Sequence, residues 1–258
     1  MIHQIDFHIK QLESMKKYPS SIKYIGDTNL LQKPLISIVG SRKPNQYTKQ
    51  FTFTLAQKLS QSGFVVVSGA AMGVDAIAHQ GATPSSTIAV AATGLFHRYP
   101  AVNSELIKSI ENKGLVLSIF DDDFKATNYS FVLRNELVVA LGQVLVVTQA
   151  DINSGTIRSV EYALSMGKEI FVLPHRIGES EGTNELLKNG KAKAIYDLDT
   201  FIHSLGIPTI SSNTIDDIES YFLSSPLYDD AMAKYPDKVF EYELSGKITV
   251  KNGKVIPL

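Results

Sequence analysis

Six short apolar runs recur along this chain, each separated from the next by residues with helical spacing. That alternation constrains the fold more than any other feature. The runs are Leu35-Ile-Ser-Ile-Val39, Phe64-Val-Val-Val67, Thr87-Ile-Ala-Val-Ala91, Leu115-Val-Leu-Ser-Ile119, Val144-Leu-Val-Val147 and Glu169-Ile-Phe-Val-Leu173. They are rich in β-branched residues and almost unbroken in apolar character, the pattern of parallel strands covered on both faces. Helical spacing fills residues 47–61, 74–80, 103–112, 130–141 and 156–166, and Gly63, Gly81, Gly114, Gly142 and Gly167 stand where those helices should stop. Strand–helix alternation of this kind implies βαβ units with right-handed crossovers. The expected fold is therefore α/β, a Rossmann-like doubly wound parallel sheet over residues 33–205.

The flanks read differently. Residues 1–32 form a short N-terminal lead-in, 206–213 a linker rich in Gly, Pro and Ser, and 214–258 a small module of short helices and a hairpin. The hairpin runs from Lys247 to Ile256 and turns at Asn252-Gly253, a strong two-residue turn signal. Helices followed by a hairpin suggest a winged-helix-like module. Such modules often read duplex DNA with a helix in the major groove. Here residues 206–258 carry five lysines, no arginine and eight acids, a net charge of −3 that phosphate would repel. This module is expected to serve protein contacts or to pack on the core.

Composition excludes several classes of function. The chain has 25 basic and 26 acidic side chains, so any nucleic-acid site must be local rather than spread over a basic surface. Without cysteine there are no disulfides, thiolate zinc sites, iron–sulfur clusters or cysteine nucleophiles. The six histidines never pair at i, i+4 beside a glutamate, and no cofactor or metal is expected. Neither a P-loop nor a G-x-S-x-G elbow occurs. Asp121-Asp-Asp123 reads as a solvated loop, since three consecutive acids cannot all face one ion. The N-terminus lacks the basic start and apolar core of a signal peptide. The longest apolar stretch, Leu137 to Thr148, is broken by Gly142 and Gln143 and falls short of the ~20 residues a membrane helix needs. A cytoplasmic protein with no membrane partner is expected.

Ligands of such sheets gather at the carboxyl ends of the strands. The loop Gly40-Ser-Arg-Lys-Pro44 offers an arginine fork, a hydroxyl and backbone amides where a dinucleotide fold would place bare glycines. A solvated surface loop would carry the same residues. Ser68-Gly-Ala-Ala-Met-Gly-Val-Asp75 joins a strand to a helix, with Gly69 and Gly73 allowing an anion close to backbone amides; Asp75 is equally an acid favoured by the helix dipole. Phe131-Val-Leu-Arg-Asn135 sets an aromatic and an arginine on one helical face, though Phe131 is equally a core residue. Asn153-Ser-Gly-Thr-Ile-Arg158 is a fourth small-residue turn into a helix. Four such loops on one edge suit an extended anion such as a nucleic-acid backbone better than a single phosphate.

These residues also carry a resemblance. Tyr18-Pro19, Ile38-Val-Gly-Ser-Arg42, the run from Val67 to His79, Thr87-Ile-Ala-Val-Ala-Ala-Thr-Gly-Leu95, Tyr99-Pro100, Asn103, Arg134-Asn135 and Ser154-Gly-Thr156 stand in the order seen in the DNA-processing protein A (DprA/Smf) family. Gly167-Lys168, Val172-Leu-Pro174, Gly182-Thr-Asn184 and Leu187 continue the series, so the likeness covers roughly residues 18–196. It implies a Rossmann-like protein that binds single-stranded DNA, forms a homodimer, and loads the RecA recombinase during natural transformation, without being an enzyme. Carried over, the DNA-binding positions are Gly40, Ser41, Arg42, Ser68, Gly69, Gly73, Phe131, Arg134 and Asn135. The loops themselves add Lys43, Met72, Ser154, Gly155 and Thr156.

Three positions depart from the family pattern. Many members read Phe-Pro-x-Arg-Asn-Arg where this chain has Phe131-Val-Leu-Arg-Asn-Glu136, which reverses one charge. The usual Ser-Glu is Ser118-Ile119, and the usual Pro-Gly is Pro174-His175. The alternative function is a nucleotide-cleaving or nucleotide-sensing protein of the related lysine-decarboxylase-like fold, whose signature is Gly-Gly-x-Gly-Thr-x-x-Glu. Gly155-Thr156 echoes it, but position 159 is serine and the first acid is Glu161. A carboxylate is missing at the catalytic spacing.

Overall fold

Strands form where β-branched runs can be covered from both sides. A computed structural model describes residues 1–206, 221–222, 225–244, 246–251 and 253–257, which divide into the units Met1–Pro208 and Thr209–Leu258. In the first unit, β1 is His3–Gln4, β2 Lys23–Gly26, β3 Leu35–Val39, β4 Val65–Ser68, β5 Thr87–Val90, β6 Leu115–Ser118, β7 Val144–Val147, β8 Ile170–Val172 and β9 Lys193–Ala194. The helices are α1 Gln46–Gln61, α2 Val74–Ala82, α3 Ser104–Lys113, α4 Asn128–Leu141, α5 Gly155–Ser165, α6 Glu181–Lys188 and α7 Leu198–Ser204. Every residue of β3 to β8 is buried. Alternate side chains leave the sheet on opposite faces, as strand geometry requires. Leu35, Val65, Val67, Leu145 and Val147 pack towards α4 and α5, whereas Ile36, Ile38, Val66, Val144 and Val146 pack towards α1 and α7. Each such side chain contributes ~1.5–3 kcal/mol on burial, so a register slip by one residue would exchange the two cores.

The strand order is β1-β2-β6-β5-β4-β3-β7-β8-β9. Strands β3 to β9 are mutually parallel, but β2 runs antiparallel to β6, and β1 antiparallel to β2. The doubly wound parallel sheet expected over residues 33–205 is present as β3 to β9, and the lead-in of residues 1–32 adds two antiparallel strands at its edge. The lead-in closes one sheet edge and buries Ile9, Leu12, Ile22, Leu30 and Leu31 in the α4/α5 core. Its strands have two and four residues, too few to show a period. The chain fills β4, β5 and β6 on one side of β3 before β7 returns to the other side, so the topological switch lies between β3 and β7.

The second unit has helices over Tyr228–Lys234 and Pro236–Leu244, then the antiparallel pair Ile248–Lys251 and Lys254–Pro257. Its own core joins Phe222, Ala231, Val239, Ile248 and Val255. The linker beyond residue 206, the earlier part of the expected winged-helix module and Asn252 of the turn lie outside the described residues. Among the described residues, no helix is long and apolar enough to cross a membrane.

Candidate functional site

A cavity of about 440 Å³ opens at the carboxyl ends of β3 and β7, the position that the switch in strand order dictates. Four segments meet there: the loop after β3, the loop after β4, the first half of α4, and the turn into α5. Of the fourteen sequence-predicted residues, Gly40, Ser41, Arg42, Phe131, Arg134, Asn135, Ser154, Gly155 and Thr156 line it. Gly69 and Met72 line a smaller recess beside it, together with Tyr99, Pro100 and the same Arg42, Phe131 and Arg134.

The other three predicted positions, Ser68, Gly73 and Lys43, line neither cavity. Ser68 is fully buried, and its hydroxyl donates to the Ile38 carbonyl at 2.7 Å, latching β4 to β3. Gly73 has φ +80°, and a Cβ there would run into the carbonyls of Ser41 and Arg42. It is the spacer that lets Val74 donate to the Ser41 carbonyl at 3.1 Å, holding the two loops together. Lys43 lies on the loop but outside the cavity wall, its backbone amide donating to Ser41 Oγ at 3.1 Å.

The two central arginines differ in kind. Arg42 is exposed, has no ion-pair partner among the described residues, and holds its guanidinium 5.2 Å from the centre of the Phe131 ring. Arg134 stands 5.8 Å from the same ring but is 4% exposed. Its Nη1 donates to the carbonyls of Gly69 and Val90, and its Nε to Asn135 Oδ1 at 3.0 Å. Arg134 is therefore bound chiefly to the protein while still forming part of the cavity wall. Burial lowers its affinity for a proton, while the nearby Asp75 raises it. Asp75 is itself pushed up by burial, with the Arg134 charge and the Ala71 amide pulling the other way. A Cβ at Gly69 would strike the Arg134 guanidinium and the Asp75 carboxyl, so a larger residue there would displace these two groups.

The start of α5 supplies donors. Its N-cap is Ser154, whose hydroxyl caps no amide, is buried and makes no hydrogen bond. A Cβ on Gly155 would meet nothing within 4 Å. Ser154, Gly155 and Thr156 thus bring the start of this 11-residue helix to the cavity wall, where the helix dipole favours an anion. Residues outside the predicted set also line the wall: Asn128, Arg158 and the buried Ser159. Arg158 is exposed and pairs with Glu161 at 3.2 Å. Its place one turn into α5 was the available signal; Asn128 had none. Glu136, the charge-reversed position, does not line the cavity. Its carboxylate accepts from the Lys16 amide at 3.3 Å, so the reversal acts on the N-terminal segment.

Residues 2–206 match the sequence model of a family described as DNA recombination-mediator protein A. The chain is 35% identical over 179 residues to protein Smf of Synechocystis sp., covering 68% of this chain and 45% of that protein. It is 31% identical over 207 residues to DNA processing protein DprA of Bacillus subtilis, covering 74% and 69%. Against the first of these, the chain spans less than half of the relative's length. Among solved structures, DNA processing protein A from Helicobacter pylori, described for its single-stranded DNA binding mode, superposes with a TM-score of 0.77 at 41% identity, over 79% of this chain and 95% of that one. DprA from Streptococcus pneumoniae gives 0.72 at 30% identity, over 77% and 72%.

Proposed function

The chain belongs to the DNA recombination-mediator protein A family, and from that premise we propose that it binds single-stranded DNA with little sequence preference and delivers it to the RecA recombinase during natural transformation, as a homodimer in the cytoplasm. One observation supports the binding role most. An exposed arginine over an aromatic ring and a helix start with no side-chain cap line one cavity, uniting a phosphate fork, a stacking surface and the positive end of a helix dipole. The three arginines on its wall outnumber the one carboxylate, Asp75, which is turned to the Ala71 amide. The proposal is of binding without chemistry, because position 159 holds a buried serine where a nucleotide-cleaving site would need a carboxylate. Delivery to RecA and dimerisation rest on family membership.

Titration of a fluorescent single-stranded oligonucleotide at several salt concentrations tests this reading. Arg42→Ala should weaken binding and reduce the slope of log K against log salt by about 0.7, the value for one phosphate contact on a single strand. An unchanged slope and affinity would refute the assignment of Arg42. Release of free base from nucleoside monophosphates would show the protein to be an enzyme instead.

A further inference from the structure

A second cavity, of about 500 Å³, opens on the same unit where α1 begins and β8 ends, lined by Asn45, Tyr47, Pro174, His175, Arg176 and Glu179 among others. The loop after β3 runs from one cavity to the other. Gly40, Ser41 and Arg42 line the first and Asn45 the second, with exposed Lys43 between them. The loop is fixed at both ends, because the Ser41 amide donates to the Gln149 carbonyl at 2.9 Å and the Asn45 amide to Gln149 Oε1 at 2.9 Å.

The aromatic wall of this cavity is braced. Tyr47 is exposed, yet its ring lies 4.7 Å from Phe51 and meets His175 edge-on at 5.4 Å. His175 is held in turn, its Nε2 donating to the Thr148 carbonyl at 2.8 Å. The 175–179 turn is held by Asn184, whose amide donates to the carbonyls of Arg176 and Glu179 at 3.3 and 3.0 Å. Arg176 is exposed and forms no ion pair among the described residues. A braced, exposed ring in a cavity that Arg176 lines, with Lys43 on the loop leading to it, offers what a stacked nucleotide requires. Here the glycine usual after the proline is replaced by His175, the residue that buttresses Tyr47.

We propose that this second cavity is a further base-stacking subsite for single-stranded nucleic acid, which leaves the arginine groove across the Gly40–Asn45 loop and lays a base on the Tyr47 ring. The inference rests on the single-strand reading above. His175 acts through Tyr47 and is a positioning residue.

The test uses the full chain and two lengths of oligonucleotide, one filling only the first groove and one long enough to cross the loop. Tyr47→Ala should weaken binding of the long strand about tenfold, equal to ~1.4 kcal/mol, and leave the short strand unaffected. Tyr47→Phe keeps the ring and should bind as wild type, while His175→Gly should show an intermediate loss on the long strand only. A 2-aminopurine placed at the crossing position should be quenched on binding to the wild type and less so with Tyr47→Ala. Equal affinities for both lengths in Tyr47→Ala and wild type, or the same loss on both lengths, would overturn the subsite. If Tyr47→Ala melts early, absence of quenching with the wild type overturns it. Arg42→Ala separates the two failures. When it weakens both lengths and the Tyr47 variants weaken neither, only the second subsite falls; when the wild type binds no strand at all, both readings fall.

Discussion

His79 shows how far burial can set the behaviour of a single side chain. It is fully buried behind the cavity, and the Thr87 hydroxyl already donates to the Val66 carbonyl at 2.8 Å. The 2.6 Å contact between His79 Nδ1 and that hydroxyl oxygen therefore needs the proton on Nδ1, and the buried Nε2 makes no hydrogen bond. Burial, and secondarily the charge of Arg134, push its pKa down to about 3. The unfolded chain takes up a proton here near pH 6.5, so this histidine's contribution is complete above pH 6.5 and is lost as pH falls towards 3. Linkage sets the loss at about 1.4 kcal/mol per pH unit, or ~2 kcal/mol between pH 6.5 and 5. Urea unfolding at the two pH values should show that drop in the wild type and a flatter profile in His79→Gln. Equal profiles would mean that His79 is not buried neutral. The sequence marks position 79 only as a histidine in a family motif. Its neutrality depends on what packs around it.

At the scale of elements, Arg134 ties the middle of α4 to the ends of β4 and β5 through the carbonyls of Gly69 and Val90. It also provides the nearby positive charge for Asp75, at the start of α2. Arg134→Met would remove the positive charge nearest the buried Asp75 carboxyl and the donors to the Gly69 and Val90 carbonyls, at about 1–3 kcal/mol for a buried group left unsatisfied. Urea unfolding of Arg134→Met should show a loss of that order, and adding Asp75→Asn should restore part of it. No recovery in the double variant would show that the two side chains do not act together. The phase of α4 was legible, because Phe131 and Arg134 at i, i+3 share a face. Which neighbour that face meets was not, since the phase of a helix says nothing of the strand beneath it. The same limit explains Ser68 and Gly73. Both stand in a glycine-rich turn that suits an anion, yet one is spent on the strand beside it and the other on clearing a neighbouring loop.

For the whole molecule, charge is divided unequally. Residues 206–258 carry −3, which leaves +2 for residues 1–205. The described part of the second unit has its own small core, and its helix Pro236–Leu244 exposes Glu241 and Glu243. A surface of that sign is repelled by phosphate, so this module is proposed to serve protein contacts rather than strand capture. A chain ending after Leu205, folded by circular dichroism, should keep single-strand affinity within about tenfold, ~1.4 kcal/mol, of the full chain in the same titration. A larger loss would place a DNA contact in the C-terminal module.

What the amino-acid order determined alone was local: the type and succession of the elements from β3 to α5, because β-branching, helical period and stop glycines act over a few neighbours. β3 and β7 begin and end where their apolar runs do. The tertiary structure decided everything that required distant segments to meet. It placed residues 40–42, 131–135 and 154–156 around one cavity through the strand order. It turned Arg134 inward and left Arg42 outward, a difference that burial makes and composition does not. It drew the lead-in on to the sheet as an antiparallel edge, because β2 finds its hydrogen-bonding partners on β6, nearly a hundred residues away, and no short window of sequence contains both.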